Sequence, residues 1–245
     1  MEKKCEGAKD MSDKRFLVCE QKSTYWLLIM AAGMMGAYTF NLRGGVFCNA
    51  QTANIVMMSI AFGKGRLGEG VYYLIPIFAY MLGAFVSEIL PSPLKKLGHV
   101  RWDTCLIGIE IAVLFGIGFI PLQTPHQIVQ ILVNFIASMQ YNTFRQAEGI
   151  PMATTFCTNH VRQVGVGVAK WMRKRDRAGF LRGMLHLLML AGFFAGGVLL
   201  TFFCDPLQEK AIWIALIPLA IIFTRMIHAD LVSERGMLEQ KPGGH

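Results

Sequence analysis

Charge is absent from long stretches of this chain and crowded into the short segments between them. Residues 23–42 hold no Asp, Glu, Lys or Arg. Comparable apolar runs follow at residues 71–90, 102–122, 127–144, 183–204 and 211–224. About 20 apolar residues of helix cross the hydrocarbon of a bilayer. Only 16% of the 245 residues are charged, against about 25% in a typical soluble domain. The pattern therefore predicts an all-α membrane protein with six transmembrane helices. Glu88 lies near the end of the second run, and Pro91 and Pro93 stop it because proline cannot continue a helix. The last run is short, and Lys210 and Arg225 beside it have stems long enough to snorkel to the interface.

The formal net charge of +8 does not point to nucleic acid. The basic residues sit beside the apolar runs, where they face anionic lipid, and no nucleic-acid fold signature is present. The cysteines, Cys5, Cys19, Cys48, Cys105, Cys157 and Cys204, form no CxxC pair, so neither a zinc site nor a disulfide framework is expected. No phosphate loop or dinucleotide fingerprint occurs, so no cofactor is expected. Nothing marks a cleavage site after the first apolar run, which reads as an uncleaved helix.

Two further segments, 44–63 and 149–169, are apolar but broken. Each opens on a Gly or Pro kink, passes a polar patch, and continues as about ten mostly apolar residues ending at lysine, about 15 Å of helix and half a bilayer. They read as half-helices or re-entrant elements, tolerated at membrane depth where protein or a wet cavity covers them. The order helix, broken element, helix, helix then describes residues 23–122 and again 123–227. Thr52 and Thr158 stand 106 positions apart, as do Lys64 and Lys170. If each broken element returns to the side it left, residues 1–22 and 228–245 are both cytoplasmic. Nineteen Lys and Arg then face the cytoplasm and four, Arg43, Lys64, Arg66 and Lys210, face outward, as the positive-inside rule requires. An odd number of spans per half makes the halves inverted repeats, a common transporter design. Alternatively both elements span fully, and Lys95, Lys96 and Arg101 face outward.

The segment from Arg43 to Ile55, RGGVFCNAQTANI, resembles the RGGVFANAQTGNI signature of the YoaK family of bacterial membrane proteins of unknown function. The later segment from Thr154 to Arg162, TTFCTNHVR, resembles that family's TTxxTGNLR element. Ala53 replaces a glycine, and Asn159-His160 stands where the family tends to have Gly-Asn. The resemblance spans roughly residues 23–225. It implies a bacterial inner-membrane location and brings no established substrate.

The polar patches supply the candidate site. Asn49, Gln51, Thr52 and Asn54 in the first, and Thr155, Cys157, Thr158, Asn159 and His160 in the second, are the candidate substrate-binding residues. Asn and Thr are also favoured caps for helix N-termini, so packing at a break is the alternative use. A half-helix N-terminus presents N–H groups to a ligand. Glu110 lies near the middle of its apolar run. An ionisable group there is expensive unless paired or wet, and Arg162, His160 and Asn134 are its candidate partners. Glu110, His160 and Arg162 are the candidate ion- or proton-coupling residues. Asn134, Gln140 and Asn142 either line a path or bridge helices. The basic run from Lys170 to Arg177 reads as a topology anchor.

The expected function is a small-solute transporter or channel whose partners are the bilayer and an unnamed solute; association into a homo-oligomer is compatible with the sequence. Two other readings stand beside it. One is an intramembrane enzyme using Cys157, His160 or Glu110, Cys157 and His160 being one helical turn apart. The other is a non-transporting scaffold, for which a dry interface between the halves would speak.

Overall fold

A computed structural model describes residues 16–90, 100–238 and 242. Cys5, Pro91, Pro93, Lys95 and Lys96 lie outside the described residues, as do residues 1–15 and most of the tail beyond 238. Apart from one hairpin, every regular element of the described chain is a helix. In order it forms α1 (Lys22–Leu42), α2 (Gln51–Gly63), α3 (Leu67–Ile89), α4 (Trp102–Ile117), α5 (His126–Thr143), β1 (Gln146–Ala147), β2 (Ile150–Pro151), α6 (Thr158–Lys174), α7 (Arg177–Leu207) and α8 (Leu216–His228). A 3-10 segment, Gln208–Ala215, joins α7 to α8.

The apolar runs become helices nearly where expected, and the differences have local causes. α4 stops at Ile117 rather than near Leu122, because Gly118 is its cap and Pro121 follows. α7 begins at Arg177, ahead of the expected 183, because the Asp176 carboxylate accepts from the Gly179 N–H at 3.0 Å and caps it. The last expected span divides into the 3-10 segment and α8. α6 runs on through the basic stretch to Lys174 and is longer than the half-helix expected there. The hairpin was not foreseen. Its turn residues Glu148 and Gly149 both take positive φ, at 47° and 74°, the geometry of a two-residue primed turn.

Contacts at the two ends of the bundle settle the direction of each helix. At one end, Lys22 pairs with Glu148, Arg225 donates to Gln21 at 2.7 Å, and the Arg101 N–H donates to Asp230 at 3.0 Å. At the other, the Tyr38 hydroxyl donates to the Glu209 carbonyl at 3.1 Å, Arg43 to the Ile120 carbonyl at 2.6 Å, and the Trp213 indole to the Phe115 carbonyl at 3.0 Å. So α1 and α4 run one way, α5 and α8 the other. α7 lies parallel to α1, with Asn41 donating to Thr201. α3 lies parallel to α5, tied by Gln130 to Tyr72 near its start and by Asn142 to Ser87 near its end.

The pairing of elements is reciprocal. α1 packs on α7 as α5 packs on α3; α2 packs on α3 as α6 packs on α7; α4 meets α5 as α8 meets α1; and α4 meets α8. Backbones come close through glycine. A Cβ on Gly33 would stand 2.1 Å from the Phe193 carbonyl oxygen, one on Gly196 2.1 Å from that of Met30, and one on Gly83 2.3 Å from that of Phe135.

Among the described residues, Leu67–Ile89 and the run Arg177–Ser233 are long and apolar enough to cross a membrane by length and composition. α1 and α5 are less apolar for a packing reason. α1 is the central helix, and its Ala31, Ala32, Gly33 and Gly36 face protein. α5 buries Gln130, Asn134, Ser138 and Gln140 inside the body.

Candidate functional site

Between α1 and α2 the chain turns back through Gly44 and Gly45, at φ +83° and +70°, values glycine tolerates. A Cβ on Gly44 would stand 2.8 Å from the Tyr72 hydroxyl. The turn is pinned by Arg43. Its guanidinium is fully buried, donating to the Tyr38 hydroxyl and to the Ile120 and Pro121 carbonyls. Counted among the outer-side charges, Arg43 is buried within the fold and closes the α4–α5 connection.

Beyond the turn, three of the four candidate residues point inward. Asn49 donates to the Ala32 carbonyl of α1 at 3.1 Å. Gln51 donates to the Asn134 oxygen on α5 at 2.7 Å. Asn54 donates to the Gln51 oxygen at 3.2 Å and back to the Phe47 carbonyl at 2.8 Å. Asn134 in turn donates to the Gln130 carbonyl at 2.7 Å. Thr52 is exposed and belongs to none of this. The capping use is not realised, since the N-cap positions of α2 and α6 are Ala50 and Cys157 and neither makes a side-chain cap bond. Asn134→Leu should cost about 1–3 kcal/mol, because it removes the 2.7 Å acceptor of the half-buried Gln51 amide and leaves it only the Cys48 carbonyl at 3.4 Å. A smaller loss of stability, measured by unfolding in mixed micelles, would mean that Gln51 finds another partner.

The second broken segment repeats one device of the first. Asn54 reaches back seven residues to the Phe47 carbonyl, and His160 reaches back seven to the Ala153 carbonyl at 2.8 Å. The two residues are 106 positions apart, the offset that relates Thr52 to Thr158. A carbonyl only accepts, so His160 carries its hydrogen on Nε2. Its Nδ1 lies 2.9 Å from Nδ1 of His186 on α7. With His160 neutral, His186 is the donor in that bond. Thr155 is buried nearby and Cys157 half-buried, whereas Thr158 is exposed. Asn159 accepts from the exposed Arg162 at 2.8 Å, a local pair on α6.

Glu110 receives none of its expected partners: Arg162 is with Asn159, His160 with His186, and Asn134 with Gln51. It is fully buried, on the α4 face that carries Leu106, Ile107, Leu114 and Ile117. Neither of its oxygens has a hydrogen-bond partner among the described residues. A charged carboxylate has nothing there to offset its desolvation.

The two broken segments meet at one cavity of about 910 Å³ between α1 and α7, where Asn49 from the first and Cys157 from the second stand on the wall. Gly33, Gly36 and Gly197 form its floor, and five phenylalanines are the largest share of the remainder.

A family model described as protein of unknown function (DUF1275) matches residues 24–224. The chain belongs to this family. It is also similar to the UPF0700 transmembrane protein YoaK of Bacillus subtilis (strain 168), 21% identical over 213 residues that cover 84% of this chain and 92% of that protein. No solved structure matches. This DUF1275 member is accordingly an integral membrane protein, and both broken motifs fall inside the family region. His186, Gln130 and Tyr72, absent from the motifs, complete the network. The signal for His186 was present in the sequence, as the one Asp, Glu, Lys, Arg or His within the run 183–204.

Proposed function

We propose that the chain is a small-solute transporter or channel of the bacterial inner membrane, with six spans, both termini cytoplasmic and two inverted halves. The reciprocal packing and opposed helix directions of residues 23–122 and 123–227 support the inversion. The excess of Lys and Arg at the end of the bundle that holds Lys22, Arg101 and Arg225 supports the orientation. One observation carries the transport reading: both interrupted segments reach the same cavity, Asn49 from one and Cys157 from the other. A dry, filled interface would have favoured the scaffold. The thiol enzyme is disfavoured by His160, whose two ring nitrogens are committed to Ala153 and His186.

Purified protein in proteoliposomes, offered a panel of labelled solutes, should show saturable uptake that falls about tenfold or more in Asn49→Leu, whose side chain projects into the path. No saturable uptake of any solute would end this reading.

A further inference from the structure

We propose that the α1–α7 cavity takes an organic cation with an apolar body; the proposal rests on the transport reading and names its substrate class. The walls are Phe40, Phe47, Phe193, Phe194 and Phe202, and among the described residues Asp205 is the only charged side chain that lines the cavity. Phe40 and Phe47 stack with centroids 4.7 Å apart and rings 25° from parallel, forming one flat apolar face. Aromatic faces attract cations through their quadrupole and offer nothing to anions. The Asp205 carboxylate has no ion pair among the described residues, so its charge is open to a ligand.

The cavity is polar in an ordered way. Asn41, which donates to Thr201, lies with Asp205 at one end. Cys157 lies at the other, because His160, one turn beyond it, meets His186, one turn before Leu190. The two ends are about 22 Å apart along α7, at 1.5 Å per residue. Cys157 is the N-cap of α6, and the positive end of a helix dipole repels a cation. Both features put the charged group of the ligand at Asp205 and its apolar body toward the glycine floor. The mouth opens sideways where Phe194 and Phe202 stand 72% and 75% exposed, so a cation that partitions into lipid reaches it from the bilayer.

The probes are tetraphenylphosphonium and tetraphenylborate, which match in shape and differ in charge. The full chain is placed in phosphatidylcholine nanodiscs, and binding to empty discs is subtracted. Saturable binding of the phosphonium alone is expected, weakened about tenfold by Asp205→Asn and lost in Gly197→Leu, which fills the floor. Equal binding of the borate, with Asp205→Asn harmless, would make the cavity a seat for bilayer acyl chains and overturn the assignment. Absence of saturable phosphonium binding would overturn it too. Uptake of an anionic or neutral solute that ignores both phosphonium and Asp205→Asn would sink the cation class and leave transport standing. Phosphonium binding with no uptake of any solute would sink transport and leave the cation site standing.

Discussion

Arg101→Ala should remove about 3–5 kcal/mol of stability, the usual cost of stranding buried partners of an ion pair. Arg101 is 6% exposed, and it lies 3.3 Å from Asp230 and 3.7 Å from Glu234, which are 2% and 7% exposed. Its guanidinium also donates to the Met237 carbonyl at 2.7 Å. Asp230 accepts from the Arg101 N–H and from the Thr104 hydroxyl, and Glu234 accepts from the Val18 N–H. Glu20 and Asp103 are buried as well. The cluster thus joins the start of α4, the turn before α1 and the segment that follows α8. Without it, neighbouring carboxylates remain buried and repel one another. Asp230→Asn should cost less, because its amide oxygen still accepts from Thr104. Unfolding in mixed detergent micelles measures both; a loss under about 1 kcal/mol for Arg101→Ala, the value of an exposed pair, would show that the cluster is solvated.

Gly196→Val and Gly33→Val should each destabilise the protein by about 3 kcal/mol, at the upper end of the range for overpacking. Even a methyl at either position falls 2.1 Å from a backbone oxygen of the facing helix, and a backbone cannot swing aside as a flexible side chain does. The clash is relieved only by parting α1 from α7, which also opens the pair that frames the cavity. Gly165→Ala is the control. It lies within α6 with nothing within 4 Å of the added atom, so it should be neutral or gain up to about 1 kcal/mol of helix propensity. If Gly196→Val were as harmless as Gly165→Ala, the close approach of α1 and α7 would be wrong.

Helix positions were legible because hydrophobicity along a chain is a local property. Residues 23–42 became Lys22–Leu42 and residues 127–144 became His126–Thr143. The offset of 106 was legible too, from Thr52 and Thr158 and from Lys64 and Lys170, and the structure extends it to Asn54 and His160, which both reach back to a carbonyl. What was hidden is what depends on distant pairing. Arg101 and Asp230 are 129 positions apart, and neither lies in a motif. That Arg43 is buried was equally hidden, because the α4–α5 turn that surrounds it lies far along the chain. Thr52 and Thr158 read as site residues by type, but helical rotation within α2 and α6 turns them outward while Asn54 and His160 turn in. Glu110 was found by its cost, but each candidate partner is bonded elsewhere, Arg162 to Asn159, His160 to His186 and Asn134 to Gln51.

The reciprocal packing bears on how the protein is made. α3 has its long-range partner in α5, and α1 in α7, so each early helix waits for one translated much later. When the ribosome has delivered residues up to about 120, α3 already carries Gly83 and Ser87 on a face shaped for a helix that does not yet exist. The small-residue stripe of α1 stays without its α7 partner for longer still. Biogenesis therefore requires that the first half persist as loosely associated helices and that the finished body lock together late, when α7 slides in beside α1.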